Sequence, residues 1–357
     1  MYHYKISANE AVAIMVNLIC NKFFLSNPRY FTELAGNAAW IMVLYIFAVT
    51  AIFWIVYCKL AKVSCGLDLL DLCERSGHPI LRTIVGSVCC LTLALTASLI
   101  FRQYIESVQA LSLVDTPIYI IGIMFALGMI LGAYAGLKSV AKVHSFFVPI
   151  IFLIVVILLI MVSPNFDFTA LTPLLGAGPS SIFGTGFFTI STLFELLILF
   201  FLPPLLKSPE KFGKIGSLTI VFSLAYFLMI TTAFLLSIPN PDALDNFLPI
   251  FQMVRLIELG TFFQRLESIF LIVFTISAFL YLSSMLFFLT HIFVKTFHIT
   301  YEKPLFIPLG LLVASFSAVS FLSDKAIRVL NSSSMFLWVL PFVVPLLLLL
   351  LFRRKVK

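Results

Sequence analysis

Apolar residues run along the chain in long blocks, separated by short clusters of charge, proline and glycine. A hydrocarbon slab about 30 Å thick takes about 20 apolar residues per helical pass. A window of that length predicts ten spans, at residues 7–32, 38–57, 81–101, 117–136, 143–162, 181–202, 214–237, 261–293, 304–322 and 335–352. No second domain fits between them, so 1–357 reads as one polytopic membrane domain.

Two of these blocks are interrupted inside. Span 1 is cut by "NLICNKFFLSNP", where Asn17, Asn21 and Lys22 stand between Ile14 and Phe24 and Pro28 follows. Span 6 carries Gly184, Thr185 and Gly186, then Thr189, Ser191 and Thr192, a run that weakens helix and offers hydroxyls to any backbone group it frees. Ten spans divide into two fives, residues 6–162 and 181–352, and transporters built from inverted repeats interrupt the first helix of each half around a midplane site. The expected fold class is therefore all-α, with ten membrane helices in a five-plus-five arrangement and helices 1 and 6 discontinuous.

Composition agrees, since 61% of residues are apolar and 11% charged, against roughly half and a quarter in soluble domains. The net charge of +7 has a membrane explanation. Most of the 23 Lys and Arg fall in alternate connections, among them Lys59, Lys62, Arg75 and Arg82, then Lys138 and Lys142, then Lys207, Lys211 and Lys214, and finally Arg353, Arg354, Lys355 and Lys357. By the positive-inside rule that side, with both termini, is cytoplasmic. No nucleic-acid footprint is needed to account for the charge. The N-terminus offers no signal-peptide cleavage site, so the first helix is expected to stay.

All six cysteines precede residue 91, and neither they nor the five histidines form a metal-ligand or redox spacing. Nucleophile-elbow, P-loop and zinc-protease patterns are absent as well. Nothing in the sequence calls for an enzyme, a metal or a cofactor.

Glu195 is the main candidate for chemistry. A carboxylate in hydrocarbon costs at least ~2.5–3.5 kcal/mol and persists only against a partner or a wet cavity. Thr192 and Ser191 lie three and four residues before it, so one helix face presents two hydroxyls and a carboxylate. Two readings stand: a ligand or coupling site, or a polar group that pins helices together. Three further groups also carry paired readings. Ser7 and Glu10 have the spacing of a capping box, which competes with a gating role for Glu10. Arg255 and Glu258, with Arg265 and Glu267, either latch a short helix over the outer mouth or form a solvated interface. Lys22 either pairs with Glu195 or extends to the surface along its stem.

The stretches "KISANE", "AGNAAWI", "FELLILFFLPPLLK" and "FQMVRLIELGTFFQRLESIF" resemble the B-subunit permeases of bacterial spore nutrient germinant receptors, within the amino acid/polyamine/organocation transporter superfamily. The resemblance covers most of the chain. It departs at span 1, where Asn21 and Phe23 replace closely spaced glycines. The resemblance implies a leucine-transporter-like fold and a germinant-sensing subunit in the spore inner membrane or cell membrane, beside an A subunit and a lipoprotein C subunit. A small nutrient such as an amino acid is then expected between spans 1 and 6, near Asn21, Lys22, Gly184, Gly186, Thr189, Ser191, Thr192, Phe194 and Glu195. The alternative is a proton-coupled amino acid permease acting alone.

Overall fold

The computed structural model describes residues 5–61, 66–75, 79–238, 248–257, 266–318 and 339–356. Among these residues it is helical throughout and contains no named strand. The chain opens with α1 (Ala8–Cys20), and the expected capping box forms: Ser7 N–H donates to Glu10 Oε2 at 2.6 Å and Glu10 N–H to Ser7 Oγ at 3.4 Å. A single 3-10 turn, Asn21–Phe24, follows. Leu25 then leaves helical geometry, at φ −94° and ψ −132°, and α2 (Asn27–Ala35) starts with Pro28 in its first turn, where a missing N–H costs nothing.

The remaining helices are α3 (Ala39–Ala61), the short α4 (Leu69–Arg75), α5 (Pro79–Leu111), α6 (Ile118–Tyr134) and α7 (Leu137–Val162). Span 6 contains α8 (Gly186–Thr189) and α9 (Leu196–Leu199), and beyond it lie α10 (Phe212–Ser237), α11 (Pro249–Arg255), α12 (Leu266–Thr296), α13 (Phe306–Ala318) and α14 (Val344–Val356). Among the described residues, five stretches are long and apolar enough to cross a membrane: Asn27–Ala61, Ile80–Leu111, Leu137–Asn165, Pro209–Ser237 and Glu267–Thr296. Shorter apolar helices cover Ile118–Tyr134, Lys303–Ala318 and Val339–Leu351. Outward faces of these helices carry exposed Ile, Leu and Phe, such as Ile52, Leu131 and Ile160, which only a lipid solvent makes stable.

Span 6 departs from the simple expectation of an unwound gap at its glycines. It stays helical but changes hydrogen-bond register, from a π turn at Ser180–Thr185 through α8 to a 3-10 turn at Ile190–Leu193 and then α9. The tightened part surrounds Glu195, with Phe194 N–H donating to Ser191 O at 3.0 Å and Ile198 N–H to Glu195 O at 3.0 Å. Hydroxyl-rich sequence explains this, because Thr189 Oγ1 bonds back to Thr185 O at 2.9 Å and holds the chain helical where a proline would have broken it.

Candidate functional site

The polar interruption in span 1 and the tightened turn in span 6 face each other. Lys22 Nζ lies 2.8 Å from Glu195 Oε2 and donates to the Thr192 carbonyl at 3.0 Å. The Glu195 side chain is 0% exposed and that of Lys22 11%, so the pair is held largely out of solvent. Glu195 Oε1 accepts a hydrogen bond from Tyr281 Oη of α12 at 2.9 Å. Tyr104 of α5 stands beside Tyr281, ring centroids 6.4 Å apart, and its buried hydroxyl has no hydrogen-bond partner among the described residues.

A second set of contacts starts at the neighbouring residue. Asn21 Nδ2 donates to both the carbonyl and Oγ of Ser277 at 2.7 Å, and Ser277 Oγ donates to Asn17 Oδ1 at 3.0 Å. Asn17 Nδ2 lies 3.4 Å from His144 Nε2 on α7, and Ser284 Oγ 3.3 Å from the same nitrogen. His144 Nδ1 faces the Val140 carbonyl at 2.8 Å, so Nδ1 carries the ring proton and Nε2 is the acceptor. Ser277, Tyr281 and Ser284 are spaced i, i+4 and i+7, one face of α12. That face ties together the break in span 1, the carboxylate of span 6 and α7.

Of the residues singled out from sequence, Asn21, Lys22, Thr192 and Glu195 meet here. Ser191 is half-buried one position away, and Phe194 is buried in the core. Thr189 shares a side-chain hydrogen bond with Tyr30 of α2. The two glycines do other things. Gly184 is exposed with open space around it, whereas a Cβ on Gly186 would press on Met42 and Tyr45 of α3 at 3.1 and 3.3 Å. Phe23 points toward α10, its ring 3.9 Å from that of Phe227. At the other end of the bundle Arg255 Nε lies 3.3 Å from Glu267 Oε1, both exposed; Glu258 and Arg265 lie outside the described residues. Sequence reading placed Asn17 in the span 1 interruption without a partner, and missed Tyr104, His144, Ser277, Tyr281 and Ser284. The i, i+4, i+7 spacing in "SAFLYLSS" was the available signal.

A helical membrane bundle whose first and sixth spans are interrupted at one buried charge pair has the architecture of a transporter-type permease. A sodium-coupled sialic acid symporter, solved in a substrate-bound outward-open state, has the same fold: the TM-score is 0.63 at 13% identity, over 94% of this chain and 79% of that one. The family model for spore germination proteins, the spore permeases, matches residues 5–352, and the chain belongs to that family. Curated relatives include spore germination protein A2 of Bacillus subtilis (strain 168), 22% identical over 277 residues, covering 77% of this chain and 76% of the relative. Spore germination protein B2 of the same organism is 20% identical over 265 residues, covering 74% of this chain and 72% of its own.

Proposed function

We propose that this chain is the nutrient-sensing membrane subunit of a spore germinant receptor, in the spore inner membrane with both termini cytoplasmic. It binds a small amino acid or similar nutrient between the interrupted spans 1 and 6 and acts beside A and C subunits. The observation that carries this reading is the Lys22–Glu195 pair, closed on itself where two helices meet. Breaking one side of a buried pair strands a charge. An anion that took Lys22 alone would leave Glu195 unpaired, and a cation that took Glu195 would leave Lys22 unpaired. A zwitterion supplies both opposite charges at once, so the pair separates with no charge left over. Relatives described as germination proteins support the receptor role, and interruptions in spans 1 and 6 support the two-fives repeat, residues 6–162 and 181–352.

The test is ligand protection of the purified chain. Alanine is expected to raise the apparent melting temperature, while propionate and alaninamide at equal concentration do not, and Lys22→Met removes the alanine shift. No shift with any of the twenty amino acids, in folded protein, would place nutrient recognition in another subunit. Deleting the gene and testing spores against single nutrients then separates a receptor subunit, whose loss abolishes one response, from a permease acting alone, whose loss leaves germination intact.

A further inference from the structure

The end of the bundle that carries Ile6 is closed by main chain and by charge. Ile6 forms an isolated parallel bridge with Leu206, with Ile6 N–H donating to Leu205 O and Lys207 N–H to Ile6 O, each at 2.9 Å. This ties the segment just before α1 to the segment just after α9. The helix α4 docks on the same place. Its Leu69 N–H donates to Phe200 O at 3.3 Å, five residues beyond Glu195, and its Leu69, Leu70, Leu72 and Cys73 are buried. So span 6 ends, on this side, against one short helix, which also packs on α5 and α14.

Charge holds that helix in place. Lys295, in the last turn of α12, lies 2.5 Å from Asp68 Oδ2 and 2.8 Å from Asp71 Oδ1. The two carboxylates also cap α4 reciprocally: Asp71 N–H donates to Asp68 Oδ1 at 2.9 Å and Asp68 N–H to Asp71 Oδ2 at 3.2 Å. Arg82 of α5 donates to Glu74 at 3.0 Å and to the Lys295 carbonyl, and also contacts His298. Burial pushes the Asp68 carboxyl up, while the Lys295 ammonium pulls it partly back. Burial also opposes ionising Asp71, but the Lys295 hydrogen bond and charge outweigh it and hold Asp71 below the usual carboxylate range. An apolar contact loosens gradually, whereas a buried ion pair is either made or stranded.

We propose that α4 is a plug over the Ile6 end of the Lys22–Glu195 site, latched by Lys295 to Asp68 and Asp71 and released together with the ends of spans 1 and 6. The latch rests on contacts separate from the ligand reading, and its test uses no ligand.

Cys73 is the built-in reporter. Burial pushes its thiol up to about 12, helped by the Asp68 charge, so it alkylates slowly while α4 is docked. Cys20 of α1, also buried and beside Ser223 of α10, reports opening of the whole bundle. Full-length protein in nanodiscs is treated with a maleimide, and each cysteine is quantified by peptide mass spectrometry. Lys295→Met is expected to speed alkylation of Cys73 at least tenfold with Cys20 unchanged, and Lys295→Arg to stay near wild type. Lys22→Met, far from the latch in sequence, is expected to speed Cys73 several-fold as well. Should Lys295→Met not fold, the triple variant Asp68→Asn, Asp71→Asn, Lys295→Met strands no charge and is expected to give the same tenfold effect. Cys73 rates unchanged in all folded variants, or rising only in step with Cys20, would make α4 a fixed part of the scaffold and overturn the plug.

Discussion

Removing the lysine of the Lys22–Glu195 pair while keeping the carboxylate is the sharpest test of the site's energetics. In Lys22→Met, Glu195 keeps the Tyr281 hydrogen bond but loses its ammonium partner at 2.8 Å. Stranding a buried charge costs about 3–5 kcal/mol. With an unfolding entropy of about 2.1 cal/mol/K per residue, the 357 residues give about 0.75 kcal/mol per kelvin. The apparent melting temperature in detergent is therefore expected to fall by about 5 °C at pH 7. The double variant Lys22→Met, Glu195→Gln strands nothing and is expected to recover most of the loss. Thermal scans on wild type and the two variants make the measurement. A double variant no more stable than Lys22→Met would refute the buried-pair argument.

Three other outcomes follow from the same coordinates. Gly216→Ala places a Cβ 2.0 Å from Trp54 Cζ2, on an indole that Gly213 O and Ser217 Oγ hold by its N–H at 3.3 and 3.2 Å; destabilisation of about 1–3 kcal/mol is expected from overpacking, and thermal scans check it. Asn21→Ala removes both hydrogen bonds to Ser277 and strands buried acceptors, an expected loss of about 1–3 kcal/mol; a melting temperature equal to wild type would mean the Asn21 contacts contribute nothing. For topology, a cysteine at Lys211 is expected to resist an impermeant thiol reagent added outside cells, and one at Asp115 to react, both positions being exposed at opposite ends of the bundle; the reverse pattern would invert the orientation.

Much of this fold is legible in the sequence because lipid imposes a single length on every spanning helix. Long apolar blocks become helices wherever they stand, as α3, α7 and α12 do, since no other structure satisfies its backbone in hydrocarbon. The Glu195 partner was legible for a related reason, because an ionised group in lipid restricts what can stand beside it and Lys22 is the matching charge in the facing span. Neutral polar groups were not legible in this way. Ser277 and Ser284 cost little in any membrane helix, and His144 reads as one more residue of an apolar stretch until α1, α7 and α12 are seen to converge on it. The glycines misled for a different reason. Glycine serves close packing as readily as helix breaking, and Gly186 against Met42 and Tyr45 is the packing case. Span 6 is distorted instead by its hydroxyls.

The distribution of polar ties along α12 separates what holds from what moves. Ser277, Tyr281 and Ser284 contact the span 1 break, Glu195 and His144, and Lys295, eleven residues beyond Ser284 and so on nearly the same helix face, holds α4. One helix thus reaches both interrupted spans around the Lys22–Glu195 pair and α4 at the Ile6 end. Its own long apolar length is packed against α5 and α6, where Gly128 and Gly132 admit Phe279 and Ser283 so closely that a Cβ would meet them at 2.3 and 2.2 Å. Close packing of that kind resists sliding, since any displacement must open voids or force overlaps. The ties on the polar face are hydrogen bonds and ion pairs, which exchange partners one at a time. Motion in this bundle is therefore expected at the polar face of α12, with spans 1 and 6 and α4 shifting against a helix that α5 and α6 keep in place.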